Sequence, residues 1–357
     1  MYDSKTIAPV RATIASLLLV AGPVAADLPD PVFVDYVNAR IASGEYVGMM
    51  VAVLDAEESY VQSFGTVAKD STAAPDEKTI FEISSISKTF AATVFAQAVT
   101  DGKVDLEDPA NGYLEANVQL ADYAGRDITM LDLVAHQSGL PYMPVDIPTG
   151  EPPNPHAVTT RDDLRRSINA FEPTSAPGEG YSYSAFAYGI LALILESVLG
   201  DDFFALVDNN VTTPLDMEDT VLSLSAGQRE RLATGYTQEG EPAVAFDQGV
   251  FRAAGSMFST LHDLTLWLRA NMQPETTPMA DALRLTHEIH NSIGTIGLAW
   301  HKSEGFDDRS QFGTANGYRA YVGFLADGSR GVAILANTRV NAEALGNYLL
   351  IGTDLPD

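Results

Sequence analysis

The sequence predicts an α/β (α+β) fold, in which an antiparallel sheet is formed from both ends of the chain and flanked by helices. Strand-like hairpins lie near each end of the chain, and several helices with apolar periodicity lie between them. Strands and helices do not alternate in the way that would indicate a doubly wound parallel sheet. We therefore expect the sheet region at about 30–80 and 245–357, with a helical region inserted at about 85–245.

The individual elements follow in chain order. "PVFVDYVNARIASG" has helical spacing and ends at Gly44, and "GMMVAVLDAE" and "SYVQSFGTV" then have the pattern of two paired strands. Near the C-terminus, "GYRAYVGF" and "GVAILAN" flank Asp327-Gly328, a dipeptide typical of hairpins. Helices are predicted in between for "TMLDLVAHQSG", "AFAYGILALILESVLG" and "TLHDLTLWLRANM". The proline-rich stretch of about 141–160 predicts a surface loop.

Residues 1–26 have the pattern of a cleaved secretory signal peptide. Lys5 and Arg11 precede the apolar run "ATIASLLLVAGPVAA", which ends with small residues at Val24 and Ala26. The run is shorter than the roughly 18 to 20 residues that cross a bilayer, so we expect no stable membrane span in the mature chain. The sequence contains no cysteine, which excludes a disulfide framework and a cysteine nucleophile. We expect a periplasmic or secreted bacterial protein whose single domain covers residues 27–357.

The charge of the chain argues against some partners. The first 26 residues carry one acidic and two basic side chains, so the remaining chain has a net charge of −28 where the full sequence has −27. Such an acidic surface repels nucleic acid and anionic membrane. The sequence does not predict an oligomeric state.

A candidate nucleophile lies in "EISSISKTF", where Lys88 stands three residues after Ser85. Ser84 or Ser85 is a natural cap for the apolar-periodic helix that follows and that ends at Asp101-Gly102. One helical turn places the two side chains on the same face. A buried lysine at a helix N-terminus loses its proton readily, as a base for a serine hydroxyl requires. The spacing alone is also compatible with a helix cap followed by a surface lysine.

Several other segments occur in an order that resembles a known family. The sequence is similar to the serine β-lactamase and penicillin-binding-protein-like hydrolases, in particular the class C β-lactamase branch with its family VIII esterase and D-alanyl-D-alanine peptidase relatives. The resemblance covers roughly residues 31–350 and implies the serine β-lactamase/transpeptidase-like fold. The segments that carry it are "FEISSISKTF", "LDLVAHQSGLP", "APGEGYSYSAFAYGILALILE", "TPLDMEDT", "GSMFSTLHDLTLWL" and "GYRAYVGFLADGSRGVAILAN".

The first two family motifs are present in different degrees. Ser-x-x-Lys is intact, which implies Ser85 as nucleophile and Lys88 as its activating partner. For Tyr-x-Asn, the segment "YSYSA" supplies Tyr183 as the implied proton relay, but Ala185 stands where the asparagine belongs. A complete Tyr-x-Asn at Tyr36 lies upstream of the nucleophile in an amphipathic helix, and we do not assign it to the site.

The third motif, Lys-Thr-Gly or His-x-Gly, has a degenerate counterpart in "QFGTANGY". Gln311 replaces the cation and Gly313 is retained, and we expect both residues to contact the substrate from a strand that edges the site. The resemblance implies an oxyanion hole of the backbone N–H groups of Ser85 and Thr314, a role that tolerates side-chain changes. An ordinary edge strand with a glycine is the alternative.

We find no support for a cofactor. His287 and His290 in "HEIH" lack a third ligand and the spacing of metalloprotease helices, so we predict no metal site. His136 in "AHQSG" is predicted to be structural. Together the residues predict an exported serine hydrolase that forms an acyl-enzyme on Ser85 and acts on a small-molecule or peptide acyl substrate. Short-chain esters, β-lactams and D-alanyl peptides are the competing substrate classes, and a binding protein without turnover is the alternative function.

Overall fold

The computed structural model describes residues 30–290 and 294–356. The strands of this part are β1 (Gly48–Leu54), β2 (Ser59–Gly65), β3 (Ile80–Glu82), β4 (Phe258–Thr260), β5 (Asp308–Thr314), β6 (Arg319–Leu325) and β7 (Gly331–Ala336). Its α-helices are α1 (Pro31–Ser43), α2 (Ser87–Thr100), α3 (Met130–Val134), α4 (Arg161–Ala170), α5 (Ala185–Leu199), α6 (Phe203–Val207), α7 (Ala226–Arg229), α8 (Leu261–Met272), α9 (Ala280–His287) and α10 (Ala342–Ile351).

The main sheet is antiparallel and is assembled from both ends of the chain, as predicted. Its strand order is β2-β1-β7-β6-β5, so the N-terminal hairpin meets the C-terminal strands through β1 and β7. In that junction Val51 lies opposite Ile334. Gly328 turns β6 into β7 with a φ of 72°, a conformation that the predicted Asp-Gly hairpin favours. A separate two-stranded sheet pairs β3 with β4.

The two faces of the main sheet pack against different helices because side chains alternate along each strand. Val51 and Ile334 face a core that includes residues of α1 and α10. Ala52 and Leu335 face the larger core, which is shared with α2, α5 and α8. Strand β5 lies at one edge of this sheet, where its free side meets the segment that leads into α2.

Several predicted helices are confirmed, together with the residues at which they end. Helix α1 ends at Gly44 and α5 ends at Gly200, each in the left-handed conformation that glycine adopts most easily. Helix α3 is shorter than predicted, because "TMLDLVAHQSG" leaves the helical conformation after Val134 and His136 has a φ of 57°. The stretch 141–160 contains no helix or strand.

The start of α2 differs from the prediction. Ser84–Ile86 form a 3₁₀ turn, and Ile86 is the N-cap residue of α2, so neither Ser84 nor Ser85 caps the helix with its side chain. The helix ends before Asp101 and Gly102, as predicted. Its interior is buried against α8, where Trp267 stacks on Phe90 with ring centroids 4.5 Å apart.

Two sequence predictions concern the membrane. In residues 30–290 and 294–356, none of the helices has the length and apolar character needed to cross a bilayer. The predicted signal peptide, residues 1–26, lies outside the described residues.

Candidate active site

The nucleophile candidate lies in the 3₁₀ turn between β3 and α2. Ser84 has a φ of 45°, which is uncommon for a residue other than glycine. Its hydroxyl donates a hydrogen bond to the backbone oxygen of Thr314 at 2.8 Å, and Ser87 Oγ donates to the backbone oxygen of Ser84 at 2.6 Å. The turn is therefore fixed to the end of β5, and Ser85 projects from it.

Lys88 lies beside Ser85, as the sequence predicts. Its Nζ is 3.3 Å from Ser85 Oγ and donates a hydrogen bond to the backbone oxygen of Ala254 at 2.6 Å. The side chain has 0% of its surface exposed, and this burial lowers the pKa of Lys88 to about 7. A lysine with such a pKa is half neutral near pH 7, so it can accept a proton from the serine.

Tyr183 completes a group of three polar side chains. It precedes Ser184, whose hydroxyl caps α5 by accepting from Ala187 N at 2.9 Å. Lys88 Nζ lies 4.6 Å from the centre of the Tyr183 ring. Burial raises the pKa of the phenol well above its ordinary value, and a hydrogen bond with Ser85 opposes that rise. At neutral pH the phenol is therefore a proton donor to groups at Ser85.

The position after Tyr183 lacks the predicted amide. Ala185 is the first residue of α5, is fully buried, and donates its backbone N–H to Tyr142 O at 2.9 Å. The second hydrogen-bond partner of Lys88, the Ala254 carbonyl, comes from a 3₁₀ segment, Gly249–Ala254. Sequence spacing gave no sign of that contact, because a backbone oxygen carries no residue signature.

Strand β5 brings the third motif to the nucleophile turn, and the side chain of Gln311 is buried there. The Gln311 side chain is buried, donates to Ala299 O at 2.8 Å and accepts from Phe312 N at 3.0 Å. The Gln311 amide is therefore bonded within the protein, and its predicted contact with the substrate stays a prediction. The alternation of the strand exposes Phe312 and Thr314 instead.

Gly313 is needed for a different close approach from the one predicted. A Cβ atom built at this position would lie 2.1 Å from the backbone oxygen of Ile83. The close neighbour is thus the turn that carries the nucleophile, and any larger residue would push β5 away from it. Gly313 sets the distance between Ser85 and Thr314, the two residues predicted to supply oxyanion N–H groups.

Aromatic side chains surround Tyr183, and the sequence gave no indication of this cluster. His301, on the segment before β5, pairs with Tyr181 through Nε2 and the phenol at 2.8 Å. Burial lowers the pKa of His301 to about 4, so the imidazole is neutral at pH 7. Its ring centre is 6.2 Å from that of Tyr183 and 6.3 Å from that of Phe312. Tyr142 also stacks on Tyr183, with the ring centroids 6.2 Å apart.

Two other sequence candidates lie outside this site. His287 Nε2 is 2.9 Å from Asn271 Oδ1, and His290 Nε2 is 3.4 Å from Leu285 O. Among the described residues, no three histidine, aspartate or glutamate side chains are arranged to hold a metal ion. Tyr36 lies on α1 with the Arg40 guanidinium 3.5 Å above its ring, on the opposite face of the sheet from α2.

Comparison with known proteins identifies the family. The sequence profile of the Beta-lactamase family matches residues 33–352, nearly all of the described chain. This chain belongs to the Beta-lactamase family. As a member of the Beta-lactamase family it is a serine hydrolase, and the predicted resemblance is confirmed.

Individual relatives of this Beta-lactamase family member have different names. A protein named Beta-lactamase from Pseudomonas fluorescens is 26% identical over 340 residues, which cover 84% of this chain and 91% of that protein. The D-alanyl-D-alanine-carboxypeptidase/endopeptidase AmpH of Escherichia coli is 27% identical over 225 residues, 62% of this chain and 56% of that protein.

Solved structures confirm the predicted fold of this Beta-lactamase family member. A class C beta-lactamase superimposes with a TM-score of 0.78 at 23% identity, covering 91% of this chain and 96% of that one. A beta-lactamase/D-alanine carboxypeptidase from Yersinia pestis, complexed with citrate, superimposes with a TM-score of 0.73 at 24% identity. The superposition covers 87% of this chain and 93% of that one.

Proposed function

We propose that this chain is an exported serine hydrolase that forms an acyl-enzyme on Ser85. The observation that carries the proposal is the position of Lys88, fully buried, 3.3 Å from Ser85 Oγ and with a pKa lowered to about 7. Neutral Lys88 takes the hydroxyl proton as Ser85 Oγ attacks the substrate carbonyl carbon. Tyr183 donates a proton to the leaving group as its bond to carbon breaks, and the proton held by Lys88 passes back to Tyr183. Water then hydrolyses the acyl-enzyme, giving up one proton to this pair, and Ser85 leaves with a proton returned from it.

The oxyanion of each tetrahedral intermediate is held by the backbone N–H groups of Ser85 and Thr314. The bond from Ser84 Oγ to Thr314 O and the close approach at Gly313 support this assignment, because both fix β5 against the nucleophile turn. Backbone donors that are already fixed need no reorganisation when charge develops. No metal or organic cofactor takes part in this mechanism.

For the substrate we propose an uncharged, short-chain ester, with weak hydrolysis of β-lactams. Ala185 has no amide, and Gln311 has no charge and its amide already donates to Ala299 O, so neither offers the contact that would hold a substrate carboxylate. The exposed ring of Phe312 and the exposed phenols of Tyr142 and Tyr181 give the surroundings of Tyr183 an apolar, aromatic character. An ester needs no charged contact and is a more reactive acyl donor than an amide.

One observation favours a second candidate, a substrate that carries a carboxylate. A cavity of about 330 Å³ borders Thr314 and is lined by Arg319 and Arg339. Within the described ranges neither arginine forms an ion pair; Arg319 donates to Ala315 O and Tyr318 O, and Arg339 to Gln238. Glu343 lines the same cavity and opposes an anion there. β-Lactams and D-alanyl peptides, which the names of the relatives mention, are the carboxylate-bearing candidates.

A substrate panel tests these proposals. The purified mature protein is given a short-chain p-nitrophenyl ester, a cephalosporin and a D-Ala-D-Ala peptide, and Ser85→Ala is the control for background hydrolysis. We expect ester turnover to exceed β-lactam turnover. Labelling with a fluorophosphonate, followed by peptide mass spectrometry, should place the adduct on Ser85. A protein that leaves all three substrates intact and stays unlabelled is a binding protein, and the enzymatic proposal would be wrong.

A further inference from the structure

His136 holds the backbone on both sides of Tyr183. Its backbone oxygen accepts a hydrogen bond from Ser182 N at 2.8 Å, and its Nδ1 accepts one from Ser184 N at 3.1 Å. The residues before and after Tyr183 are therefore both attached to one residue, which follows α3 and is fully buried. The ring of His136 also contacts the ring of Tyr183, with centroids 4.4 Å apart.

The backbone of His136 is in an uncommon conformation. Its φ of 57° lies in the left-handed region, where residues other than glycine are uncommon and asparagine and histidine are among those tolerated. Such conformations persist where the surrounding structure determines them, and they occur preferentially at functional sites. The conformation turns the carbonyl and the imidazole of His136 toward the same neighbouring segment, residues 182–184.

The hydrogen bond from Ser184 also fixes the protonation of the ring. A nitrogen that accepts an N–H bond carries no proton, so the neutral imidazole has its hydrogen on Nε2. Nε2 is buried and has no hydrogen-bond partner among the described side chains and backbone groups. Burial and the nearby Lys88 and His301 hold the pKa of His136 well below its ordinary value. His136 therefore stays neutral and keeps its acceptor nitrogen across the working pH range.

We propose that His136 is a positioning residue, which fixes the peptide backbone around Tyr183 and thereby directs the phenol at Ser85. This inference rests on the proposed role of Tyr183 in proton transfer. The specific claim is that the hydrogen-bond acceptor Nδ1 of His136 is needed for full kcat, and that the volume of the ring alone is not sufficient. His136 was predicted from the sequence to be structural, and its two hydrogen bonds show which segment it holds.

Substitutions can separate the acceptor from the backbone conformation. In His136→Asn, Oδ1 occupies the place of Nδ1 on Cγ, and asparagine tolerates a positive φ. In His136→Gly, the backbone conformation is also tolerated but the acceptor is lost. Both variants are made in the wild-type protein and in Tyr183→Phe, and kcat and KM are measured for a p-nitrophenyl ester. Circular dichroism establishes that each variant is folded.

We expect His136→Gly to lower kcat at least tenfold with little change in KM, and His136→Asn to remain within about threefold of wild type. In the Tyr183→Phe background, His136→Gly should cause no further loss, because residues that act as a unit fail together. Equal losses in the Asn and Gly variants, or an additive loss in the Tyr183→Phe background, would overturn the inference and leave the proposed function intact. Wild-type activity of Tyr183→Phe would contradict the proposed function as well.

One measurement on the wild-type protein does not depend on whether the glycine variant folds. Nitrogen-15 NMR of the imidazole distinguishes a ring with its hydrogen on Nε2 from one with its hydrogen on Nδ1. We expect the Nε2–H form from pH 6 to pH 8, and an Nδ1–H form would show that Ser184 N is not bound and that the proposal is wrong.

Discussion

Lys88 Nζ lies 3.3 Å from Ser85 Oγ, in a position with no exposed surface. Burial lowers the pKa of the lysine from its ordinary value of 10.5 to about 7. If the neutral amine is the base, kcat/KM for an uncharged ester should rise as pH increases through about 7 and level off above it. The measurement is a pH profile from 5.5 to 9 with Ser85→Ala subtracted. A profile that stays flat between pH 6 and pH 8 would exclude Lys88 as the titrating base.

Removing either member of this pair should abolish turnover. Ser85→Ala and Lys88→Met should each lower kcat by about three orders of magnitude or more, because members of a catalytic unit do not contribute additively. Lys78→Met is the matched control, since Lys78 is exposed and should leave kcat unchanged. Steady-state ester hydrolysis measures all three variants. Substantial activity in Ser85→Ala would contradict the acyl-enzyme mechanism.

The buried carboxyl of Glu82 should make the folded protein less stable as the pH rises. The residue is 4% exposed, and within residues 30–290 and 294–356 its carboxylate accepts a hydrogen bond from Phe246 N alone. Burial raises the pKa of the carboxyl to about 7, compared with 4.5 normally. Between these values the folded state holds a proton that the unfolded state has released, so stability falls as pH rises from about 4.5 to 7.

Glu82→Gln should therefore stabilise the protein at pH 8, by up to about 3 kcal/mol, and have little effect at pH 4.5. Glutamine keeps the oxygen that accepts from Phe246 N and removes the ionisation. Urea denaturation at both pH values measures the difference, with the exposed Glu77→Gln as control. An equal effect at both pH values would show that Glu82 does not titrate in this range.

Substrate preference should respond to the two degenerate motif positions. Ala185→Asn combined with Gln311→Lys should raise the β-lactam rate relative to the ester rate, by about one to two decades, the value of a charged hydrogen bond. Lysine at position 311 can keep the bond to Ala299 O while adding a charge. The measurement is the ratio of kcat/KM for the β-lactam to kcat/KM for the ester, compared between the double variant and the wild-type protein.

Efficient cephalosporin turnover by the unmodified protein would instead support the arginine-lined cavity as the carboxylate site. In that case Arg339→Ala should lower cephalosporin turnover and spare the ester.

The predicted signal peptide has a direct test. Protein recovered from the periplasm or the medium should begin near Asp27, as expected from the small residues at Val24 and Ala26. N-terminal sequencing measures this, and an exported protein that still begins with Met1 would refute the prediction.

The sheet and the principal helices could be predicted because their signals are local. The hairpins at Gly48–Gly65 and Arg319–Ala336 and the apolar periodicity of α5 are properties of short segments. The Ser85–Lys88 contact was predictable for the same reason, since one helical turn separates the residues. Lys88 is nevertheless fully buried, so its truncation removes core volume as well as a base.

The parts of the site that were missed depend on contacts between distant segments. His301 reaches Tyr181 across 120 positions, and Ala254 reaches Lys88 across 166. No residue spacing reports such contacts, and a backbone oxygen such as that of Ala254 has no sequence signature at all. The bond of Gln311 to Ala299 O was missed because a strand motif names its residues without giving the partners of each side chain.

The bond between Ser84 and Thr314 spans 230 positions and joins the nucleophile turn to the last third of the chain. During synthesis, Ser85 therefore exists long before the strand that is to lie beside it has been made. Closing a loop of this size is slow, because the entropy of the chain must be lost before the contact forms. If the proposed mechanism is correct, the serine should become reactive only when β5 lies beside it, so we expect acylation to report that folding has reached its final stage. A covalent serine probe added during refolding would measure the fraction of molecules that have completed folding.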